Sequence, residues 1–520
     1  MTIDRRTFIT ITGLGAAGAL IARQTPQPSG AAAAPPFEIE EITLAELQDG
    51  LRSGRFTSRA LTEAYLSRID AIDKRGPAIN ALIEINPDAL AIADQMDRAP
   101  RVGPLHGIPV LIKDNIDTAD RMHTTAGSLA LADSIAPRDS AVARKLREAG
   151  AVILGKTNLS EWANFRSTHS TSGWSGRGGQ TRNPYVLDRN PCGSSSGTGA
   201  GIASNLAAVG VGTETDGSVV CPSSASGLVG IKPTLGLISG AGIIPIAHSQ
   251  DTAGPMCRTV TDAATLLGVL AEKPRDYMKS LDANGLRGAR IGVARKFFGI
   301  NDSSDAVMKN AIDVIKQLGA TIVDPADMAT TGKYDDSEQE VLLYEFKTDL
   351  NKYLSGLNAG VKARTLADLI KFNEANRDRE MPYFGQELFE RAEKKGPLTE
   401  EKYKKALARN HKLSREEGID AVLKKHKLDA IIAPTGGPVW PTDLINGDHF
   451  TGGYSTPSAV AGYPHVTVPS GLAYGLPVGL SFFAGAWSEP ALIKFAYAFE
   501  QATRARRKPG FLATLRLTSS

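Results

Sequence analysis

The 520-residue chain has few cysteines, almost no net charge and, beyond its N-terminus, no long apolar run. Its three cysteines form neither a CxxC pair nor a cluster with histidine, so we do not expect a zinc site. The 59 basic and 56 acidic residues leave a net charge of +3 without a basic stripe, which argues against a nucleic-acid partner. No segment beyond the N-terminus is apolar enough to cross a membrane.

What remains is an ordinary globular composition, with 42% apolar and 22% charged residues. A chain of this length can bury a large core, and most of its 52 glycines lie in apolar segments, which indicates tight turns and close packing. We expect Cys192 and Cys221, which flank the segments described below, to be two small buried residues. A disulfide between Cys192 and Cys221 is the alternative.

The N-terminus has the features of an export signal. Arg5 and Arg6 stand in a twin-arginine pattern, and residues 9–22 form a weakly apolar stretch that is too short to span a bilayer. A Pro/Ser/Ala-rich segment follows, with A-x-A-like cleavage options around residues 31–34. We interpret residues 1–35 as a twin-arginine-type signal peptide and expect a periplasmic or secreted protein. An uncleaved anchor or a chance apolar run is the alternative.

The remaining residues, 36–520, alternate between short apolar runs and segments of helical period. This alternation predicts the α/β class with a mixed or parallel sheet. The first strong run, HGIPVLIKDNID, ends in polar residues and is expected to deliver Lys113 at the end of a buried strand. Predicted strands cover residues 106–117, 151–158, 207–218, 228–239, 428–435, 465–471 and 479–485. Predicted helices cover residues 42–71 with a break near 50–58, 139–149, 198–206 and 489–504.

The region of about 340–427 differs because it is charged and helical throughout. Solvated helix faces explain such a region, and a substrate-covering lid is the alternative. Because α/β patterns lie on both sides of it, we predict one large domain with a helical insertion.

A serine-rich segment, NPCGSSSGTG at residues 190–199, is neither a linker nor a phosphate loop. Helix-capable apolar sequence follows it, no lysine completes a P-loop, and the prolines before it argue against the strand of a Rossmann fingerprint. Its centre, Ser195, also fits the G-x-S-x-G nucleophile elbow, which needs the same strand and a later histidine. The candidates His248 and His465 lie in no distinctive context, so the elbow is the weaker hypothesis.

A second segment, TETDGSVVCP at residues 213–222, changes the interpretation. With GSSSG it gives the order Lys113, Ser194, Ser218, in which 24 positions separate the two serines. This arrangement resembles the amidase signature family. The resemblance extends over roughly residues 40–510 and includes GKTNLSEWANFR and GIKPTLGLIS. It implies a single large α/β domain whose central mixed β-sheet is covered by helices on both faces.

The resemblance also implies a catalytic triad. Ser218 would be the nucleophile, and Ser194, after a cis peptide bond from Gly193, would pass its proton to Lys113. Lys113 must be neutral for this role, and burial of the apolar run before it would lower its pKa. The reaction would pass through an acyl-enzyme without metal or organic cofactor. Asp114, on the next residue, would point away and be structural.

An oxyanion hole is implied at the turn before the nucleophile, where a glycine-containing loop lets several amides face one point. Its residues are Thr215, Asp216, Gly217 and Ser218. Three positions depart from the usual family pattern. Asp216 and Ser196 replace glycines, and Val220 stands where some members carry an arginine that recognises a substrate carboxylate. Val220 therefore favours a neutral amide.

Within the family, the serine-rich segments are most similar to members that hydrolyse C-terminal amides of peptides. Such a peptide amide, or a related small-molecule amide, is thus the expected substrate. A broad-specificity aliphatic or aryl amidase is the alternative. An amidotransferase A-type subunit is disfavoured by the export signal, and an α/β-hydrolase-type esterase is disfavoured by the prolines before the serines. A non-catalytic binding protein is disfavoured by the intact triad. We expect no nucleic-acid partner and no stable membrane anchoring after signal cleavage, and the oligomeric state stays open.

Overall fold

The computed structural model describes residues 38–273, 275–450 and 452–515. The predicted signal peptide, residues 1–35, lies outside these residues. Within the described ranges, none of the helices combines the length and the apolar character that a bilayer crossing demands.

Short apolar segments form the strands. The central ones carry near-continuous apolar runs because they are buried on both faces. The strands are Leu82–Ile85 (β1), Pro109–Lys113 (β2), Val152–Thr157 (β3), Trp174–Ser175 (β4), Gly179–Gln180 (β5), Val209–Glu214 (β6), Val229–Lys232 (β7), Thr252–Cys257 (β8), Arg290–Val293 (β9), Thr321–Val323 (β10), Ala430–Pro434 (β11), His465–Ala473 (β12) and Leu476–Phe483 (β13).

Eleven of these strands form one mixed sheet, in the order β1-β3-β2-β6-β8-β7-β12-β13-β11-β9-β10. β2 lies between β3 and β6 and runs parallel to both, whereas β6 and β8 are antiparallel. β4 and β5 form a separate two-stranded sheet. The C-terminal ends of β2 and β6 therefore lie side by side at one edge of the sheet.

Helices flank the sheet, and their ends follow local capping chemistry. The predicted break near residues 50–58 is found, since Gly54 ends the first helix at φ 75° and the Thr57 side chain caps the second. The helices are Leu44–Ser53 (α1), Ser58–Arg68 (α2), Ala89–Arg98 (α3), Ala141–Glu148 (α4), Ser196–Ala203 (α5), Val220–Ala225 (α6), Val260–Leu270 (α7), Asp302–Gln317 (α8), Asp335–Ser355 (α9), Leu366–Ala375 (α10), Arg377–Glu380 (α11), Glu387–Glu393 (α12), Glu401–His411 (α13), Asp420–His426 (α14), Thr456–Ala461 (α15) and Glu489–Thr503 (α16). Ile69–Lys74 and Lys412–Ile419 are π-helical.

The helices α9 to α13 come from the charged region between β10 and β11. Their inner faces are apolar and pack on a loop of the sheet domain, where the ring centroids of Phe165 and Phe346 lie 5.0 Å apart and those of Trp162 and Phe389 lie 5.7 Å apart. Arg166 adds a buried link, because its Nη1 donates to the carbonyl oxygens of residues 384 and 385. This region is therefore a packed layer, and only its outer faces are solvated.

Candidate active site

Lys113 ends β2 and is fully buried. Its Nζ donates to Ser194 Oγ at 2.7 Å and to Thr213 Oγ1 at 3.0 Å. Burial lowers the pKa of Lys113 to about 7, against the opposing charges of Asp251 and Glu214. A substantial fraction of this amine is therefore neutral at neutral pH, and the neutral form can accept a proton from the serine.

Ser194 precedes α5 and is also fully buried. The peptide bond from Gly193 to Ser194 is cis. A Cβ at position 193 would collide with Ser160 Oγ, so a residue other than glycine would require the Ser160 side chain to move. The Ser160 N–H donates to the Ser194 carbonyl oxygen at 3.1 Å, so the β3 side of the sheet holds the backbone of this loop.

Ser218 reaches the same place from β6. Its carbonyl oxygen accepts the Ser195 N–H at 3.2 Å, which joins the two serine loops. The residue is 7% exposed, and no described residue hydrogen-bonds to its hydroxyl. Lys113 Nζ thus bonds directly to Ser194 Oγ, and Ser218 adjoins the Ser194 loop through the backbone, with no hydrogen bond between the two serine hydroxyls among the described residues.

Glu214 holds the loop that carries Ser218. Its Oε2 accepts the N–H groups of Val219 at 2.8 Å and Val220 at 3.0 Å, at the start of α6. A carboxylate at this position complements the exposed N–H groups of a helix N-terminus. The loop between Glu214 and Val219 is consequently fixed at both ends.

The four residues predicted as the oxyanion hole form that loop, with Gly217 at φ 76°, where a side chain would be strained. Among the described residues none of the four backbone N–H groups finds an acceptor. Two side chains are tied down, since Thr215 Oγ1 donates to Asp251 Oδ1 at 2.6 Å and Thr456 Oγ1 donates to Asp216 Oδ2 at 2.7 Å. Fixed side chains and free amides suit an oxyanion hole, which stays a prediction.

Ser195, the centre of the alternative elbow, has a structural contact. Its fully buried hydroxyl donates to the Thr213 carbonyl oxygen at 3.1 Å and accepts the Thr213 N–H at 3.2 Å. The histidines proposed with it bond elsewhere in the described structure, His248 to Asp349 and His465 to the hydroxyl of residue 481. The arrangement gives Ser195 no base.

The cysteine expectation needs a correction. Cys192 and Cys221 form a disulfide, with Cα atoms 6.0 Å apart, and are not two separate thiols. Their 29-residue separation gave no sign of contact, because the proximity of the two segments comes from the sheet order. Cys257 is free and buried.

Asp114 is structural, as expected. It is fully buried and turned from the serines, with its carboxylate accepting the Thr125 hydroxyl and the Gly127 N–H. Burial raises its pKa to about 6.

Several residues that support the site were not predicted. Thr213 holds Lys113 Nζ and also accepts from Asn115 Nδ2 at 3.0 Å, and Asp251 anchors the oxyanion loop. Thr213 and Glu214 lie within the TETDGS segment, so the motif could have indicated them. Asp251 lies in an unremarkable SQDTAGP segment and is brought close only by the pairing of β6 with β8.

A cavity of about 520 Å³ borders the site on the side of Thr213. Its lining includes Thr215 of the predicted oxyanion hole but neither Ser194 nor Ser218. His248 and Asp349 lie at this cavity and form, with Glu345, a group that could hold a metal ion. All three side chains are already engaged, since His248 Nδ1 lies 2.7 Å from Asp349 Oδ2 and Tyr403 donates to Glu345 at 2.7 Å.

Comparison with known proteins agrees with this geometry. Residues 60–493 match the family model described as Amidase. The chain is 48% identical to the native peptide amidase from Stenotrophomonas maltophilia, with a TM-score of 0.86 and coverage of 92% of this chain and 100% of the other. It is 35% identical to an amidase family protein from Bacillus anthracis, with a TM-score of 0.82 and coverage of 91% and 93%.

A more distant relative is the glutamyl-tRNA(Gln) amidotransferase of Acinetobacter baumannii, whose A-type subunit is 32% identical over 494 residues that cover 90% of this chain and 97% of the other. The chain therefore belongs to the amidase family, and its predicted fold, a single α/β domain with a large mixed sheet flanked by helices, is confirmed. It is an amidase, an enzyme that hydrolyses carbon–nitrogen bonds.

Proposed function

We propose that the protein hydrolyses C-terminal amides of peptides and releases ammonia, with Ser218 as nucleophile, Ser194 as proton shuttle and Lys113 as base. The observation that carries the proposal is the 2.7 Å contact between Lys113 Nζ and Ser194 Oγ in a fully buried site. An uncharged amine beside a serine hydroxyl is an effective base near neutral pH.

The steps follow from the positions of the groups. Ser218 Oγ attacks the amide carbon while its proton passes to Ser194, whose own proton passes to Lys113. The free amides of residues 215–218 stabilise the oxyanion, a contribution of about 3 kcal/mol for each well-placed donor. Ser194 then protonates the leaving amine, which departs as ammonia. Water hydrolyses the acyl-enzyme by the same relay in reverse.

Two observations support a neutral peptide amide as the substrate. The 48% identity to a peptide amidase extends over nearly the whole chain. Val220, two positions beyond the nucleophile, leaves no cation there to pair with a substrate carboxylate. A broad-specificity amidase of the same family is the second candidate.

The test is ammonia release from an amidated dipeptide, a fatty amide, malonamate and glutamine. We expect release from the dipeptide amide by wild type and none by Ser218→Ala. Release only from another substrate would keep the mechanism and reject the peptide-amide proposal, and glutamine alone would favour an amidotransferase-type function. Activity that survives in Ser218→Ala, but is lost in Ser195→Ala, would move the nucleophile to the elbow serine.

We also propose that residues 1–35 direct export in folded form. The twin-arginine pattern supports this, because paired arginines before a weakly apolar stretch mark such signals. In a bacterial host, the wild-type chain should appear shortened in the periplasm, and an Arg5→Lys/Arg6→Lys variant should stay full-length in the cytoplasm. Equal, full-length cytoplasmic recovery of both would reject the proposal.

A further inference from the structure

The disulfide joins the two loops that carry the proposed catalytic serines. Cys192 lies two residues before Ser194, and Cys221 lies three residues after Ser218. The Cα atoms of the two cysteines are 6.0 Å apart, a separation that a disulfide spans without distorting the backbone. The cross-link is thus close in the chain to both proposed catalytic hydroxyls.

Two hydrogen bonds between the Ser195 hydroxyl and the Thr213 backbone hold the first loop to the end of β6, and further contacts lie between the loops themselves. One backbone hydrogen bond, from the Ser195 N–H to the Ser218 carbonyl oxygen, crosses directly between them. Further along, Gly199 approaches Pro222 so closely that a Cβ would lie 2.8 Å from the Pro222 carbonyl oxygen. This second contact is steric and prevents closer approach, but it does not prevent separation.

Each loop also needs support because it contains little regular secondary structure of its own. Cys192 has φ 56°, a left-handed conformation that is unfavourable for a residue other than glycine. It is held there by hydrogen bonds to Asn190 and Ser196 and by the disulfide. On the other side, α6 has only six residues, too few for a helix to be stable by itself.

We propose that Cys192 and Cys221 are positioning residues, whose disulfide sets the spacing between Ser194 and Ser218 for proton transfer. The proposal rests on the proposed function, because it assigns those two serines to the relay. No hydrogen bond joins the two serine hydroxyls among the described residues, so the relay needs them to come within about 2.6 to 3.2 Å of each other when it operates, and a wider separation of the loops prevents this. Binding of the substrate away from the reacting atoms does not depend on this distance.

We expect the bond to be reducible in the folded enzyme. Cys221 is partly exposed and lines a small recess with Trp440 and Phe450. Dithiothreitol reduces the disulfide by two successive thiol exchanges, which convert it to two thiols and the reagent to its cyclic disulfide. The bond can therefore be opened and closed without a mutation.

The experiment compares wild type, Cys192→Ser/Cys221→Ser and Cys257→Ser, each with and without dithiothreitol, at a temperature where circular dichroism shows every sample folded. For wild type and Cys257→Ser we expect dithiothreitol to lower kcat roughly ten- to hundred-fold with little change in KM, and reoxidation to restore it. The double variant should have the low kcat from the start and not respond. Labelling of Ser218 by a fluorophosphonate should slow in parallel.

Three outcomes would overturn the proposal. The first is a folded double variant with wild-type kcat, which would make the disulfide a stabiliser of the fold only. The second is a rise in KM with unchanged kcat, which would place its role in substrate binding. The third is a count of three free thiols in protein that has been purified in air and then unfolded, because the disulfide would then be absent. A failure of the proposed function gives a different result from a failure of this proposal. In that case Ser218→Ala would keep full activity, whether the cysteines are oxidised or reduced.

Discussion

The catalytic centre and the helical region α9 to α13 are built in different ways. At the centre, fully buried side chains such as Lys113 and Ser195 bond to groups in neighbouring strands and loops. The helical region is held by aromatic and apolar packing under a charged surface. It reaches the centre through polar side chains of α9, where Glu338 accepts from Gln250 at 2.9 Å and Tyr353 donates to Asp117 at 2.8 Å.

This difference indicates that the two regions have separate roles. The residues of the proposed proton relay lie at the end of β2 and in the loops before α5 and after β6, and hydrogen bonds hold the backbone of both loops. The α9 contacts act on loops one step removed, because Gln250 in turn donates to the Thr215 carbonyl oxygen at 3.2 Å. Substitutions at the centre should therefore change kcat, whereas those in the helical region should change stability or substrate affinity.

The largest effect is expected for Lys113→Met. Removal of the base should lower kcat by roughly 10²- to 10⁴-fold, as for other general bases. The matched control is Lys156→Met, since Lys156 is equally buried on β3 but bonds to the Ile116 carbonyl oxygen and the Thr124 hydroxyl. The control should lose thermal stability while its folded fraction keeps kcat within about three-fold. Equal losses of kcat in both variants would mean that Lys113 acts only through the fold.

The pH dependence of kcat/KM sharpens the assignment. Because Lys113 must be neutral, activity should rise with pH up to about 7 and reach a plateau above it. The charge of Asp251 raises the pKa of Lys113, and burial raises the pKa of Asp251 itself to about 7, so Asp251→Asn should shift the rising limb to lower pH to the extent that Asp251 is ionised there. A limb that moves to higher pH would contradict Lys113 as the titrating base.

The sequence could predict those parts of the site that lie in one motif or next to a strong strand. The continuous apolar run before Lys113 predicts that this residue lies at a strand end, and β2 confirms the prediction. Strand β8 was missed because TAGPMC contains a glycine and a proline that usually interrupt strands. With β8 unknown, neither Asp251 beside the oxyanion loop nor the order of strands that joins Cys192 to Cys221 could be derived.

The charged helical region shows the same limit. Charged residues that face outward dominate its composition, so solvated helix faces are the simpler interpretation of the sequence. The buried residues Phe346 and Phe389 show no clear helical period that would contradict this interpretation. Whether the region acts as a lid stays a prediction. The residues whose location the sequence does not predict are those positioned by contacts with residues distant in the chain.

A large effect on stability alone is expected for Arg166→Met. The Arg166 Nε lies 2.8 Å from Glu161 Oε1, and both side chains are fully buried. Loss of Arg166 leaves the buried Glu161 carboxyl without its cation, and because burial and Glu380 already raise the pKa of this carboxyl, it can protonate, so the free energy of unfolding should fall by about 3 kcal/mol, the lower end for a broken buried pair. Urea denaturation measures this, and Arg166→Met/Glu161→Gln should recover part of the loss. A kcat that falls in the folded fraction would mean that this link also serves the chemistry.

The smallest effect is expected for Asp349→Asn on α9, which removes the partner of the half-exposed His248. An exposed pair of this kind contributes well under about 1 kcal/mol. Asp349 raises the pKa of His248, so the pair stabilises the fold most below the ordinary histidine pKa of 6.5 and loses its contribution as pH rises through the folded pKa. The melting temperatures of variant and wild type should thus differ slightly at pH 6 and converge at pH 9, with kcat unchanged at both. A kcat loss approaching that of Lys113→Met would erase the distinction between the two regions, because it would place α9 within the catalytic relay.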